Sequence, residues 1–378
     1  MANKPQSFEK SNGYKKELKR LLWLFLIIPI VLFNKLAPLI PETVEVLFSR
    51  GLFPAVSVVW NAIFGVFPFS FAELLLYCLV LGVPTLIIFS LVRAIKDKTR
   101  WAKFFHILIS LLITACVAWN AFYLLWGLNY SRLTLDKTLS LNVKERPVDE
   151  LEAACHALAT TANALRVELA EDENGVFIYT APIQDVFKSI PTAYRNLSAE
   201  FPMFDRYIAQ PKKVFFSEGM SWMGISGIYI PFTAEANVNT HQPPLLIASS
   251  AAHESAHAMG IAREDEANFV SYLACTFLND KAVNYSGVML ALINCGNQLY
   301  RADAQKYYAL YETYSEAMHR DLSNYSLYWK AYEGPVQESM DRVNDSYLKH
   351  NNQESGIKSY GEMVDLLLAW FELQGLYS

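Results

Sequence analysis

The sequence is poor in cysteine, and its cysteines do not form the close pairs that structural metal sites use. The five are Cys78, Cys116, Cys155, Cys275 and Cys295, and no two of them have the Cys-x-x-Cys spacing. This absence excludes a zinc-ribbon or thioredoxin-like centre. Buried free thiols are the expected state of these residues. One disulfide among the last three stays open if they lie in an oxidising compartment.

Charged residues are also scarce, and they show no basic excess. Lys, Arg, Asp and Glu make up 18% of the 378 residues, and the formal net charge is −5. A nucleic-acid-binding domain needs a basic patch or stripe, and none follows the apolar first third of the chain. The sequence also lacks a phosphate-binding glycine loop, a dinucleotide fingerprint and an internal repeat. Nucleic acid is therefore not an expected partner.

Apolar residues are what the sequence has in excess. They make up 53% of the chain, which is too much for an ordinary soluble domain and too little for a chain that lies wholly in a membrane. Almost all of the excess falls before residue 127. The composition therefore predicts a membrane region in the first third, followed by a domain of ordinary polarity.

Three N-terminal runs are long enough to span a bilayer, at residues 21–39, 74–92 and 104–126. The polar lead before the first run, and the absence of a small-residue cleavage pattern after it, favour an uncleaved anchor over a signal peptide. Between the first two runs, segment 44–71 is apolar but broken by glycine and proline. That segment is predicted to be interfacial or re-entrant.

Basic residues flank these runs unevenly. Residues 35–73 contain two of them, Lys35 and Arg50. By the positive-inside rule, the tail 1–20 and the loop between the second and third spans are expected in the cytoplasm. Three crossings then place everything after Trp126 outside the cytoplasmic membrane. The basic residues of the tail and of the loop are Lys4, Lys10, Lys15, Lys16, Lys19, Arg20, Arg93, Lys96, Lys98, Arg100 and Lys103.

After the spans, residues 127–146 have the character of a connector, and residues 147–378 are long enough for one compact domain. Strand patterns there are few, at 213–217 and 227–231. The expected fold class is a mainly α membrane protein, with three N-terminal transmembrane helices followed by an α+β domain. Helical periodicity predicts helices over 148–170, 183–198, 244–259, 264–278, 286–300, 302–322, 325–349 and 360–373.

One short motif in residues 147–378, the predicted domain that we call the outer domain, indicates metal chemistry. His253-Glu254-Ser255-Ala256-His257 places two imidazoles four residues apart, on one face of a helix, where both can reach a single metal ion. Glu254 beside them can take a proton from a metal-bound water and pass it to a leaving group. A chance match in a chain with seven histidines is expected at roughly one in a hundred or less. The apolar, Ala-rich helix around the motif favours a real site over chance.

A catalytic zinc needs a third protein ligand and one open position. Glu264 and Glu266, in the run Glu264-Asp265-Glu266-Ala267-Asn268, are the nearest candidates. Acidic residues at the start of a helix also complement its positive end, so the residues alone leave a structural role open.

The segment Glu264-x-x-Ala267-Asn268 resembles the Glu-x-x-Ala-Asp or Glu-x-x-Ala-Asn segment of gluzincin metallopeptidases. This resemblance implies that Glu264 is the third ligand of one Zn²⁺ ion and that Glu266 is the alternative. It also implies that Asn268 supports a ligand histidine through a hydrogen bond. The implied activity is zinc-dependent hydrolysis by a peptidase.

Further segments resemble a bacterial family of membrane-anchored, zincin-like proteins of unknown function. The resemblance runs over most of the chain and implies the fold and the metal, but no substrate. It rests on the hydrophobic N-terminal third and on Pro68–Glu73, Trp126–Tyr130, Gly227–Phe232 and Ser359–Asp365.

The candidate substrate-binding residues precede the motif. In zincins the substrate backbone usually adds to an edge strand ahead of the metal helix, so 227–231 is the predicted docking strand. An ordinary core strand is the alternative. Tyr229 and His241 are candidates to stabilise a tetrahedral oxyanion, with packing or surface positions as the alternative.

The expected partners are the lipid bilayer and a peptide or protein substrate at the cell envelope. Two other function classes stay open. One is a non-catalytic zinc-binding sensor or scaffold, and the other is a zinc hydrolase of a non-peptide bond. Glu254 weighs against the first, because a purely structural site has no use for a general base beside the metal.

Overall fold

The computed structural model describes residues 19–97, 100–351, 353, 356 and 362–376. Most of the predicted basic tail and Lys98 lie outside the described residues, as do Ser359–Gly361 and the first residues of the predicted helix 360–373. The described part of the chain is mainly helical, with one small sheet.

Four N-terminal helices are long and apolar enough to cross a membrane. They are α1 (Leu21–Leu39), α2 (Pro41–Phe64), α3 (Phe71–Lys96) and α4 (Trp101–Leu125). The three predicted spans coincide with α1, α3 and α4. The additional helix α2 occupies the segment predicted to be interfacial or re-entrant, and its first half includes a π-helical stretch. These helices are consistent with a membrane protein.

Three of these helices meet the outer domain at one end each. In α1, Asn34 Nδ2 donates to His350 O at 2.9 Å, and at the start of α3 the Ala72 N–H donates to the Glu235 carboxylate at 2.7 Å. Trp126, directly after α4, packs in the domain's core. At the opposite end of α1 and α4, Arg20 Nη1 lies 2.6 Å from His106 Nδ1. The C-terminal end of α1, the N-terminal end of α3 and the C-terminal end of α4 are therefore on the same side.

Helix α2 lies against the outer domain along its length. Its buried face contains Glu45, which pairs with the buried Arg132 at 2.8 Å. Its opposite face is apolar and exposed. Residues on the buried face are Val44, Glu45, Phe48, Ser49, Phe53, Ser57 and Asn61, and residues on the exposed face include Val46, Leu47, Leu52, Val59 and Ile63.

The predicted connector is part of the hydrophobic core. It contains a 3₁₀ turn, Gly127–Ser131, and the short helix α5, Leu135–Leu139. Tyr130, Leu135 and Leu141 are buried in the same core as the outer domain. The membrane region and the outer domain are therefore joined by packed structure.

The outer domain is built on helices packed around the long α11. Helices predicted at 148–170, 183–198, 244–259 and 264–278 are confirmed to within a few residues, and 286–300 lies inside α11. The helices are α6 (Val148–Arg166), α7 (Ile183–Leu197), α8 (Ser217–Trp222), α9 (Ile247–Ala258), α10 (Glu264–Thr276), α11 (Lys281–Ala302), α12 (Ala304–Tyr311), α13 (Glu316–Ala331), α14 (Pro335–His350) and α15 (Met363–Leu373).

The helix boundaries predicted at 302–322 and 325–349 are wrong. Asp303 accepts hydrogen bonds from the backbone of the following turn and starts α12. Ser315 does the same for α13, and Pro335 begins α14. The chain therefore breaks at Asp303, around 312–315 and around 332–334. Side-chain caps at Asp303 and Ser315 cause the first two breaks, and Pro335 is at the start of the helix after the third.

The small sheet lies just before α9 in the chain. Its strands are β1 (Lys212–Lys213), β2 (Gly227–Ile230) and β3 (Glu235–Val238), in the order β1-β3-β2. β3 is parallel to β1 and antiparallel to β2. The prediction of a strand at 227–231 is confirmed. The prediction of a strand at 213–217 is wrong beyond Lys213, where β1 ends. β3 was not predicted, because all four of its residues are buried and show no alternation.

Candidate metal centre

The turn between α9 and α10 folds the two helices into an antiparallel pair. Gly260 ends the first helix with φ of +80°, a left-handed conformation that glycine adopts without strain. A Cβ at this position would lie 2.7 Å from the Phe53 ring of α2. The reversal brings the first turn of α10 back beside the two histidines of α9.

Three side chains converge at this reversal. His253 Nε2 lies 3.1 Å from Glu264 Oε2, and His257 Nε2 lies 3.5 Å from the same oxygen. One ligand atom from each residue falls within a common span of 4.8 Å, and all three side chains are buried. Two imidazole nitrogens and one carboxylate oxygen form a donor set that suits a catalytic Zn²⁺.

Each imidazole is oriented by a hydrogen-bond partner at Nδ1, while its Nε2 faces Glu264. His257 Nδ1 lies 2.7 Å from Ile261 O, and because a carbonyl can only accept, Nδ1 donates and Nε2 is the ring nitrogen that faces Glu264. His253 Nδ1 lies 2.8 Å from Asn268 Oδ1, so Asn268 is the partner of this ring nitrogen. Such contacts fix the tautomer that a metal-binding imidazole needs.

The electrostatics of the cluster favour a bound cation. Burial disfavours charge on both partners, yet attraction to the imidazoles lowers the pKa of Glu264 to about 2. In the same way, Glu264 outweighs burial and raises the pKa of His257 to about 9. The carboxylate is thus ionised, and the positive charge it attracts is one that a metal ion can supply.

Glu254 lies between the cluster and β2. A Cβ on Gly227 would come within 2.6 Å of Glu254 Oε1, so only glycine leaves room for the carboxylate. Burial raises the pKa of Glu254, and Glu264 raises it further, against the lowering effect of the two histidines and the Tyr229 N–H. A carboxyl with a raised pKa is better matched to proton transfer near neutral pH.

The alternative ligand Glu266 turns away from the histidines. Its Oε1 accepts the Leu135 N–H at 2.7 Å, so it holds the predicted connector. Burial and the neighbouring Asp265 carboxylate raise the pKa of Glu266 to about 8. Of the two predicted candidates, the structure therefore brings Glu264 to the histidines and Glu266 to α5.

The two candidate oxyanion residues lie in different places. The buried Tyr229 ring packs 5.5 Å from Trp126, which is itself 5.8 Å from the His257 ring. Tyr229 is thus on the side of β2 that faces the cluster. His241 Nδ1 instead lies 2.8 Å from Tyr328 Oη, in an aromatic group beyond the end of β3.

The last carbonyls of α9 and its turn are each bound by a side-chain donor from elsewhere in the chain. Helix ends leave such carbonyls without a full set of helical partners. Besides the Gly260 N–H on His257 O, these four accept mainly from the membrane-proximal segments. The bonds run from Trp126 Nε1 to His257 O at 2.8 Å, from Ser57 Oγ to Ala258 O at 3.4 Å, from Arg206 Nη1 to Met259 O at 3.1 Å and from Arg132 Nη1 to Gly260 O at 3.0 Å.

The residues that provide these hydrogen bonds, and the ion pairs around them, were not predicted from the sequence. Glu45 and Arg132 form a buried ion pair, and Glu235 accepts from Phe71 N and from Lys212 Nζ. Isolated charges in apolar surroundings were the available signal, since a buried charge needs a partner. The pattern does not say which partner, because the contacts join distant parts of the chain.

A family described as "Protein of unknown function (DUF3810)" matches residues 48–368. The match begins within α2, includes α3, α4 and the metal cluster, and ends in α15. No curated protein and no solved structure gives a match to the chain. Because the match covers well over half of its length, the chain belongs to the DUF3810 family of proteins.

Proposed function

We propose that this chain is a membrane-anchored zinc metallohydrolase, and specifically a peptidase, with a zincin-like domain outside the cytoplasm. The observation that carries the proposal is the convergence of His253, His257 and Glu264 within 4.8 Å. Glu254 lies next to them on the side of α9 that faces β2. Helical spacing and a tight turn produce this arrangement, and both imidazoles are held in the tautomer that metal binding needs.

In this mechanism His253, His257 and Glu264 would hold one Zn²⁺ ion. When bound, the ion would supply Lewis acidity that polarises the scissile carbonyl and makes water a stronger nucleophile near neutral pH. Glu254 accepts the proton of the attacking water and delivers it to the leaving amine. Tyr229, whose ring packs toward the cluster, is the candidate donor to the oxyanion.

Two features favour a catalytic site over a structural one. Glu254 is buried beside the cluster. A purely structural metal site has no use for a proton acceptor at that position. Strand β2 is at the end of the strand order, beside that carboxylate. An edge strand can bind an extended peptide backbone, which favours a peptide over a non-peptide substrate.

We further propose that α1, α3 and α4 cross the inner membrane and that the N-terminal tail lies on its cytoplasmic side. The basic stretches at 1–20 and 93–103 support this orientation. The ends of α1 and α3 that flank α2 both contact the outer domain. A helix that begins and ends on one side lies in the interface rather than crossing.

The direct test compares the cell-envelope peptides of cells that express the wild type or Glu254→Gln. Glu266→Gln is the matched control, because its amide can still accept the Leu135 N–H. We expect product peptides in the wild type and the control but not in Glu254→Gln, with zinc bound in all three. An unchanged peptide profile with zinc retained in Glu254→Gln would instead support the non-catalytic sensor.

A further inference from the structure

We propose that the substrate is a polypeptide anchored in the membrane close to its cleavage site, and that β2 receives it with one end directed to the bilayer. This inference rests on the proposed peptidase function and names the substrate class. It is carried by the orientation of β2, which lies between the catalytic carboxylate and the start of a membrane helix.

The free edge of β2 is defined by its hydrogen-bonding register. Ser226 O accepts from Asn239 N at 2.9 Å, and antiparallel ladders alternate between bonded and non-bonded pairs. Ile228 and Ile230 therefore direct their backbone groups toward β3, while Gly227 and Tyr229 direct theirs to the other side. Among the described residues no further strand follows β2 in the sheet, so an extended chain can pair there.

The first half of β2 faces the catalytic carboxylate. Glu254 lies against the Cα of Gly227, and the Tyr229 N–H lowers its pKa. Because Glu254 accepts the Tyr229 N–H, a peptide on this edge pairs with the backbone of Gly227 and with the Tyr229 carbonyl, and its reacting carbonyl then lies next to Glu254.

The second half of β2 leads to the membrane. The hairpin after it ends at Glu235, whose carboxylate accepts from Phe71 N at 3.1 Å, at the start of the 26-residue α3. Trp60 of α2 donates to Phe232 O in the same hairpin at 3.0 Å. The hairpin tip is thus held by the two helices that we place in and on the bilayer.

Two exposed aromatic residues, Phe215 and Phe216, lie beside the same end of α3 as the hairpin tip. Phe215 is 87% exposed, and its N–H donates to the Glu73 carboxylate in the first turn of α3 at 2.8 Å. Phe216 is held by the same carboxylate. Aromatic side chains that are exposed beside the entry of a membrane helix suit the lipid interface.

The other end of the hairpin leads away from the membrane helices. β3 runs from Glu235 toward His241, which contacts Tyr328 and Tyr332. A cavity of about 230 Å³ lies beside this aromatic group, lined by Ser221, Gly224, Trp329, Tyr332, Glu333 and Gln337. Within this lining, Ser221, Glu333 and Gln337 offer polar groups to the part of the substrate that is in water.

The length of β2 and its hairpin limits the distance between the scissile bond and the bilayer. At about 3.3 Å per residue, the stretch from Gly227 to the hairpin tip spans roughly 15 Å. A substrate strand alongside it has its scissile bond within roughly five residues of the membrane surface. For a substrate whose cleavage site is joined to its anchor by a long flexible stalk, this arrangement does not raise the local concentration of the cleavage site at β2.

The functional test uses the full chain with zinc in liposomes. Randomised decapeptides are attached to a palmitoyl anchor through a spacer of about three or about twenty residues, or are left free, and Glu254→Gln is the inactive control. Both anchored sets have the same surface concentration. We expect at least roughly tenfold faster cleavage with the short spacer than with the long one. Equal rates for the two spacers, or fastest cleavage of the free peptides, overturn the inference.

A second measurement does not depend on hydrolysis. In a Cys78→Ser/Cys116→Ser background, a fluorophore is attached at Phe232→Cys or at His241→Cys, and lipids that carry a shallow nitroxide quench it. We expect strong quenching at 232 and little at 241. Equal quenching at both sites overturns the inference even if peptides are cleaved. Strong quenching at 232, with no cleavage above the Glu254→Gln control, refutes the peptidase function and with it the substrate class.

Discussion

Asn268 is the residue that orients His253, at 2.8 Å from its Nδ1. We expect Asn268→Ala to lower zinc affinity about 10- to 100-fold, because the imidazole loses the partner that fixes its tautomer and ring angle. Competition with a chelator of known affinity measures this. Ser271→Ala is the matched control on the same buried helix, where a hydroxyl bond to Ser249 O is lost. The control should lose about 1 kcal/mol of stability and no affinity, and equal zinc affinities in all three proteins would refute the assignment.

Gly227 gives a test of the general base that leaves the metal ligands in place. In Gly227→Ala the new Cβ would lie 2.6 Å from Glu254 Oε1, so the carboxylate must move. A displacement of about 1 Å costs roughly 100-fold in rate, and we expect that loss with full zinc content. Gly334→Ala is the control, since a Cβ there meets nothing within 4 Å. Full activity in Gly227→Ala would argue against Glu254 as the base.

At this scale, the sequence predicts what helical spacing determines. His253 and His257 are four residues apart, so their common face is a local property. The choice between Glu264 and Glu266 is not local. It depends on the Gly260 turn and on the Leu135 N–H, which is 131 positions from Glu266 and binds it, so the residues alone left both open.

At the scale of elements, the central helices and β2 were predictable and the boundaries after residue 302 were not. Apolar periodicity continues across Asp303 and Ser315, but their side chains cap new helices. β3 was missed because a strand buried on both faces has no alternating pattern. The packing of α2 on the outer domain depends on contacts such as Ser49 to Asn129, which no local pattern contains.

The hydrogen bond from Trp126 to the C-terminal end of α9 can be tested by substitution. Trp126→Phe keeps an aromatic ring but removes the indole N–H that binds His257 O at 2.8 Å. We expect a loss of about 1 kcal/mol in the free energy of unfolding, because the buried carbonyl loses one of its two donors and keeps the Gly260 N–H at 2.9 Å. Thermal unfolding of the protein in nanodiscs measures it, with the exposed Trp23→Phe as control. Equal melting temperatures for both variants would show that the bond contributes nothing.

At the scale of the whole molecule, the membrane region and the outer domain share one core. Phe53 of α2 and Trp126 belong to the same buried cluster as α9 and α10, and Ser57 binds the end of α9. We therefore expect a chain of residues 127–378 to lose cooperative unfolding and to bind zinc far more weakly than the full chain. Calorimetry and zinc titration of the two proteins test this, and a stable truncated domain with native zinc affinity would contradict the shared core.

The zinc content of the full chain tests the central claim most directly. Purified wild type, Glu264→Ala, Glu266→Ala and Glu254→Gln are compared by elemental analysis after dialysis against a weak chelator. We expect one zinc per chain in the wild type, in Glu266→Ala and in Glu254→Gln, and none in Glu264→Ala. Zinc that survives Glu264→Ala but is lost in Glu266→Ala, or a wild type that retains none, would contradict the metal centre proposed for His253, His257 and Glu264.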